Sequence, residues 1–141
     1  MKKIKIKYFS KAISPITFNS KGDWIDLRSA ETVILKKGDF ALIPLGIGMK
    51  LPKNYEAHIA PRSSTFKNWG ILQTNSVAVI DNSYCGDEDE WKGVFYATRH
   101  GSITVGDRLL QVRVQKSNQI ELEEVKTLGN KNRGGYGSTG N

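Results

Sequence analysis

Asp81 stands at the end of the run Val77-Ala78-Val79-Ile80, with Tyr84 three residues further on and Gly86-Asp87 closing the segment. A β-branched run that enters a turn at Asp81-Asn82-Ser83 and leaves through Tyr84 reads as a β-hairpin. Asp and Asn form turns unaided, so the turn alone asks for no chemistry. The ring three residues beyond the acid is the suggestive part. An unperturbed aspartate, with a pKa of about 3.9, is ionised at neutral pH, accepts hydrogen bonds and is a weak base. Four more segments are hard to explain as core. In Asp23-Trp24-Ile25-Asp26-Leu27-Arg28, Asp26 falls in a strand pattern, where it is either an exposed acid or one that needs a partner. Ala60-Pro61-Arg62-Ser63-Ser64 puts a cation and two hydroxyls at a helix start, which makes either an anion site or a plain N-cap. Along Gly106-Asp107-Arg108-Leu109-Leu110-Gln111-Val112-Arg113-Val114, Gln111 and Arg113 face away from Leu110 and Val112, as on any solvent-facing sheet surface. Arg133-Gly134-Gly135-Tyr136-Gly137-Ser138-Thr139-Gly140 is either an unstructured tail or a glycine-rich wrap whose N–H groups bind phosphate. It has neither the Gly-Lys-Ser/Thr ending nor the following helix of a Walker A loop.

The elements that position these residues are β almost throughout. Ile4, Ile6 and Tyr8 alternate with lysines, and Tyr55, Ala57 and Ile59 with Glu56 and His58. Ile120 and Leu122 alternate with glutamates in the same way. Turns are expected at Lys37-Gly38-Asp39, Leu51-Pro52-Lys53-Asn54 and Val105-Gly106-Asp107. Many short strands with frequent turns predict an all-β barrel or jelly-roll-like sandwich. One short helix, of about two turns at most, is expected over Ser63–Trp69, ending at Gly70. By composition, residues 129–141 are a flexible Gly-rich arm after a domain spanning 1–128.

A chain of 141 residues supports one domain with a proper core. Its 38% hydrophobic and 25% charged residues are those of an ordinary soluble protein. No apolar run is long enough to span a membrane, and the basic N-terminus lacks the apolar core of a signal peptide. The single cysteine, Cys85, fits a reducing compartment, so a cytoplasmic location is expected. The net charge of +7 comes from scattered lysines. That suits a solvated surface or a polyanionic small molecule better than a nucleic-acid groove.

Together and in this order, the five segments resemble the five signature motifs of the trimeric dUTPase family, over nearly the whole chain. The acidic stretch Asp87-Glu88-Asp89-Glu90-Trp91 resembles the variant found in bacilli and their phages. The resemblance implies a jelly-roll-like barrel, a homotrimer with active sites at subunit junctions, and Mg²⁺-dependent conversion of dUTP to dUMP and pyrophosphate. By the same match, Asp81 holds the attacking water and the sugar 3′-hydroxyl, and Tyr84 lies where a 2′-hydroxyl would have to fit. Asn75 and the Val79–Ile80 backbone read uracil. Arg62, Ser63, Ser64 and Gln111 bind phosphates. Arg133, Gly137, Ser138 and Thr139 close on the γ-phosphate while Tyr136 stacks on the base. Mg²⁺ rides on the substrate phosphates, and Asp26 and Gln111 touch only its water shell.

Three departures stand out. Tyr136 replaces the usual Phe, Trp24-Ile25 precede Asp26 where small residues are usual, and the acidic stretch brings Trp91. Trp91 or Phe95 is therefore expected to help cover the nucleotide. His58 and His100 lack any partner of catalytic type, and Cys85 reads as a packing residue without conspicuous basic neighbours. The rival readings are a dCTP deaminase on the same fold, a dUTPase-like module signalling to a protein partner, and a weak nucleic-acid binder. No residue pattern points to a regulatory partner.

Overall fold

Alternation at period two builds the molecule from strands, and the computed structural model describes residues 1–18 and 21–140 of it. In chain order the elements are β1 (Lys5–Tyr8), β2 (Ile25–Arg28), β3 (Val33–Leu35), β4 (Phe40–Pro44), β5 (Ile47–Lys50) and β6 (Tyr55–Pro61). After these come α1 (Thr65–Trp69), β7 (Ile71–Gln73), β8 (Ala78–Ile80), β9 (Lys92–Ala97), β10 (Gly101–Ile103) and β11 (Arg108–Lys116). The strands pair antiparallel in four small sheets, ordered β1-β5, β10-β3, β2-β11-β6-β8 and β4-β9-β7. This is the jelly-roll-like, nearly all-β fold that the strand pattern predicts. No helix among the described residues is long and apolar enough to cross a membrane.

The predicted Gly-Asp turns have a shared construction. The Asp39 carboxylate accepts the N–H of Lys36 at 2.7 Å, and that of Asp107 accepts the N–H of Thr104 at 2.8 Å. Each acid thus closes its own turn, which is why Asp suits these positions. Along β11, Leu110 and Val112 are buried while Gln111 is half-buried and Arg113 exposed. A bulge between Arg108 and Leu110 turns both Leu109 and Leu110 inward at the start of that strand.

Four expectations are corrected. Asp81 does not sit on a two-stranded hairpin: β8 pairs with β6, and the chain beyond Asp81 returns through turns to β9. Trp91 and Phe95 do not cover a nucleotide, because both are 0% exposed within the core beside Ile43, Leu45 and Ile47. Burial of two large rings is a stronger driving force than any contact they could make at the surface. Ile120 and Leu122 form no strand, since residues 117–128 join no sheet among the described residues and these side chains are 72% and 90% exposed. Cys85 is exposed, not packed, and lines a small cleft with Lys5, Lys7 and Lys50. The expected arm is described to Gly140, and Asn141 lies outside the described residues.

Candidate active site

β6 is the rail on which the expected site residues are mounted, and it carries them at both ends. At its far end Pro61 leads into Arg62, Ser63 and Ser64 and then α1. The helix starts two residues later than its sequence suggests, at Thr65 instead of Ser63. Ser64 occupies the N-cap position without a side-chain capping bond. Thr65 does the work instead: its hydroxyl accepts the Arg62 N–H at 2.9 Å and donates to the Leu109 carbonyl at 2.7 Å. The serine hydroxyls are thereby left out of the fold's own hydrogen bonding at the helix cap. Gly70 ends the helix at φ 64°, the left-handed conformation that glycine adopts most readily, with its N–H on the Phe66 carbonyl.

Next to this end, Asp26 of β2 faces Gln111 of β11 across the sheet. Its carboxylate lies 3.0 Å from Arg62 Nε and 3.2 Å from Arg108 Nη1. The half-buried acid thus has the partner its strand position demands. Gln111 donates to the Pro61 carbonyl at 3.0 Å. These residues, with Asp23, Trp24 and Ser63, line an open cleft of about 390 Å³. Arg62 and Arg108 set guanidinium N–H donors around Asp26, a setting for an anion with several oxygens. Asp23 and Asp26 are the acids of the cleft, and each faces an arginine, Asp23 across 3.9 Å to Arg113. Among the described residues no three His, Cys, Asp or Glu side chains gather at metal-ligating spacing. These donors fit a cation that keeps its waters and arrives on phosphate oxygens.

The other end of β6 carries the residues expected to meet the nucleoside. Ile80 pairs with Ala57 and Val79 with His58, so Asp81 comes level with the start of β6. At about 3.3 Å per residue, the six steps from Glu56 to Arg62 put roughly 20 Å between the two groups. Asp81 is exposed, and its carboxylate Oδ2 accepts the Ser83 N–H at 2.9 Å and also the Ser83 hydroxyl. These hydrogen bonds hold the Asp81 carboxyl below its ordinary pKa, the Ser83 hydroxyl contributing most. On the opposite side of the turn Asn82 Nδ2 donates to the Pro52 carbonyl at 2.7 Å. The Tyr84 hydroxyl donates to the Glu90 carbonyl at 3.0 Å, which fixes the direction of a half-exposed ring. Asn75 is exposed in the turn between β7 and β8, where Gln73 bonds the Ser76 and Ile59 carbonyls.

The structure therefore brings Asp26, Arg62, Ser63 and Gln111 together at one end, and Asp81 and Tyr84 at the other. It does not bring the two sets together within one chain. Arg133, Tyr136, Gly137, Ser138 and Thr139 lie in an exposed tail with turns at Gly135–Ser138 and Gly137–Gly140. Sequence reasoning passed over Arg108 as a partner of Asp26, although the Gly106-Asp107 turn before it was the available signal. It also passed over Ser83, whose position two residues after an aspartate is that of an Asx-turn donor. The pairing of His58 with Glu56, at 2.6 Å, accounts for that histidine structurally.

Known proteins resemble this chain in sequence and in fold. The family model described as dUTPase matches residues 12–140. The SPbeta prophage-derived deoxyuridine 5′-triphosphate nucleotidohydrolase YosS of Bacillus subtilis is 54% identical, over 97% of each chain. The deoxyuridine 5′-triphosphate nucleotidohydrolase of Finegoldia magna is 36% identical, over 97% of this chain and 99% of its own. Among solved structures, the dUTPase of Staphylococcus bacteriophage 80alpha with dUpNHpp superposes with a TM-score of 0.82 over 99% of both chains, at 18% identity. A phage phi11 dUTPase, described for its structural Mg(II) ion, gives 0.79 over 90% of this chain and 99% of its own, at 17% identity. With β2 to β11, the cleft, the Asp81 turn and the tail all inside the span of the family model, the chain belongs to the dUTPase family.

Proposed function

We propose that the protein hydrolyses dUTP to dUMP and pyrophosphate by attack of water on the α-phosphorus, in the cytoplasm, as a homotrimer with shared sites. The observation that carries this reading is the Asp81 turn. An exposed carboxylate kept ionised by Ser83 lies three residues from a tyrosine whose hydroxyl is tied to the Glu90 carbonyl. Asp81 holds the attacking water and accepts its proton, and it also accepts a hydrogen bond from the 3′-hydroxyl. Its depressed pKa makes it a weak base, which suffices where positioning and charge stabilisation supply most of the rate. Tyr84 blocks the place of a 2′-hydroxyl and so rejects UTP. Asn75 and the Val79–Ile80 backbone hydrogen-bond the uracil edge, and mismatched polar groups there reject cytosine by about 10⁴–10⁵.

Arg62, Ser63, Ser64 and Gln111 bind the triphosphate. Arg133, Gly137, Ser138 and Thr139, from the 129–141 arm, close on its γ-end with Tyr136 over the base. Mg²⁺ carried on the phosphates supplies neutralisation of their charge, with Asp26 and Gln111 reaching its waters. The separation of roughly 20 Å along β6 supports sites completed by a second copy of the chain.

The test is Mg²⁺-dependent release of pyrophosphate from dUTP compared with dTTP, dCTP and UTP, for wild type and Asp81→Asn. Selective release by wild type and loss in the variant are expected. Equal activity of the two proteins would sink the assignment of Asp81, and ammonia from dCTP would point to a deaminase.

A further inference from the structure

We infer that Asn82 and Ser83 are positioning residues for Asp81: Asn82 fastens the turn to the loop that leads into β6, and Ser83 fastens one carboxylate oxygen. The other oxygen is then presented to the reacting water. This rests on the reading of Asp81 as the carboxylate that holds that water.

Asp81 and Asn82 point to opposite sides of the turn, the acid exposed and the amide half-buried. Asn82 Nδ2 donates to the Pro52 carbonyl at 2.7 Å, with the Tyr55 and Leu51 carbonyls at 3.3 and 3.4 Å. Three carbonyl oxygens thus converge on one nitrogen that carries two hydrogens. A carboxylate at this position would bring a fourth acceptor and no donor, and a methyl would leave the carbonyls without their amide. The receiving loop is itself fixed. The Tyr55 N–H closes on the Pro52 carbonyl at 3.1 Å, and the Ser117 N–H on the Asn54 carbonyl at 2.9 Å. Asn82 therefore transmits the rigidity of the β6–β11 pair to the residue beside it.

Ser83 works from the exposed side. Both of its hydrogen bonds to Asp81 end on Oδ2, so Oδ1 keeps its acceptor capacity. The Tyr84 N–H on the Asp81 carbonyl, at 3.0 Å, closes the same turn. Carboxylate direction is thus set within four consecutive residues, and the Glu90 carbonyl sets the direction of the Tyr84 ring. An error of about 1 Å in such a group can cost around 10²-fold in rate. A lone exposed aspartate would sample several rotamers, whereas this one has its orientation chosen before substrate arrives.

The experiment measures kcat, KM and their pH profiles for wild type, Asn82→Ala, Asn82→Asp, Ser83→Ala and Asp81→Asn. Melting temperature and affinity for a non-hydrolysable dUTP analogue are recorded alongside. The Asn82 variants are expected to lose about 10- to 100-fold in kcat, with analogue affinity within about threefold of wild type. Ser83→Ala removes a donor that favours the ionised acid. The Asp81 carboxyl then rises towards its ordinary pKa, and the acid limb of kcat moves to higher pH. Ser83→Thr, which restores a hydroxyl, is expected to return that limb to its original place. Because Ser83 is exposed, its variants carry the test even if Asn82→Ala does not fold. Wild-type kcat in both Asn82 variants, together with an unmoved acid limb in Ser83→Ala, overturns the inference while an inactive Asp81→Asn keeps the reading beneath it. Full activity of Asp81→Asn overturns that reading itself.

Discussion

The two ends of β6 hold their functional groups by different means. At the proposed phosphate end the restraint is largely charge: Asp26 braces Arg62 and Arg108, and Arg62 Nη1 adds one bond to the Arg108 carbonyl at 3.3 Å. At the nucleoside end the restraint is backbone: Asn82, Ser83 and Tyr84 hang the turn on carbonyls and on one carboxylate oxygen. The difference fits the proposed ligand. A triphosphate needs cations held apart from one another until it arrives, and an acid between two arginines achieves this. A sugar and a base need fixed shape, which hydrogen bonds to rigid backbone supply. The ion pairs at the phosphate end are partly exposed, so each contributes only about 0–1 kcal/mol to folding. Their value lies in orientation.

The largest expected effect tests the nucleoside end. Asp81→Asn should lower kcat by about 10²–10⁴-fold, the span of a lost general base, while the non-hydrolysable analogue still binds. A titration of that analogue beside single-turnover kinetics checks both halves of the statement. Next comes the separation itself. Asp81→Asn chains, nearly inactive alone, and Arg62→Ala chains, slow at low dUTP, should regain activity when unfolded and refolded together and assayed below the wild-type KM. Random assembly then makes about a quarter of the sites whole, if the two ends come from different chains. No recovery would mean that one chain supplies both ends, and the division along β6 would lose its functional meaning.

At the phosphate end alone, Arg62→Ala should weaken dUTP binding by about 1.5–3 kcal/mol, seen mainly in KM, because it removes charge-assisted hydrogen bonds. Asp26→Asn should leave the melting temperature almost unchanged and raise KM only several-fold, about 1 kcal/mol. A large loss of stability in that variant would show the acid to be a fold element and not a brace. The smallest effect concerns the tail: Tyr136→Phe keeps the stacking ring and should change kcat/KM by less than about twofold.

Much of this was legible along the chain because alternation and turn chemistry are local. Leu110, Gln111, Val112 and Arg113 announce their faces, and Gly38-Asp39 and Gly106-Asp107 announce their turns. Even the need of Asp26 for a partner follows from its place in a strand. Strand pairing is different, since it joins residues far apart. Nothing in the run from Val77 to Tyr84 says that β8 lies on β6 and that the chain beyond it turns away, and a hairpin was the natural local reading. Trp91 misled for a related reason. Its acidic neighbours Asp87, Glu88 and Asp89 look like surface, yet Glu90 accepts the Gly46 N–H at 3.2 Å and the Trp91 N–H meets the Ile47 carbonyl at 2.8 Å. Those bonds draw the indole inward. Trp91→Ala should accordingly cost about 3–5 kcal/mol of stability, read by thermal or denaturant unfolding, with KM for dUTP unaltered.

The three tryptophans have been given three surroundings, and this makes the protein its own optical gauge. Trp91 emits from a dry interior, Trp69 from a half-covered helix packed on that interior, and Trp24 from the rim of the cleft beside Asp26 and Arg62. Emission from Trp91 follows unfolding. Trp24 is the tryptophan that lines the cleft, so a fluorescence change when phosphates enter is expected there first, and folding and occupancy can be followed in one cuvette.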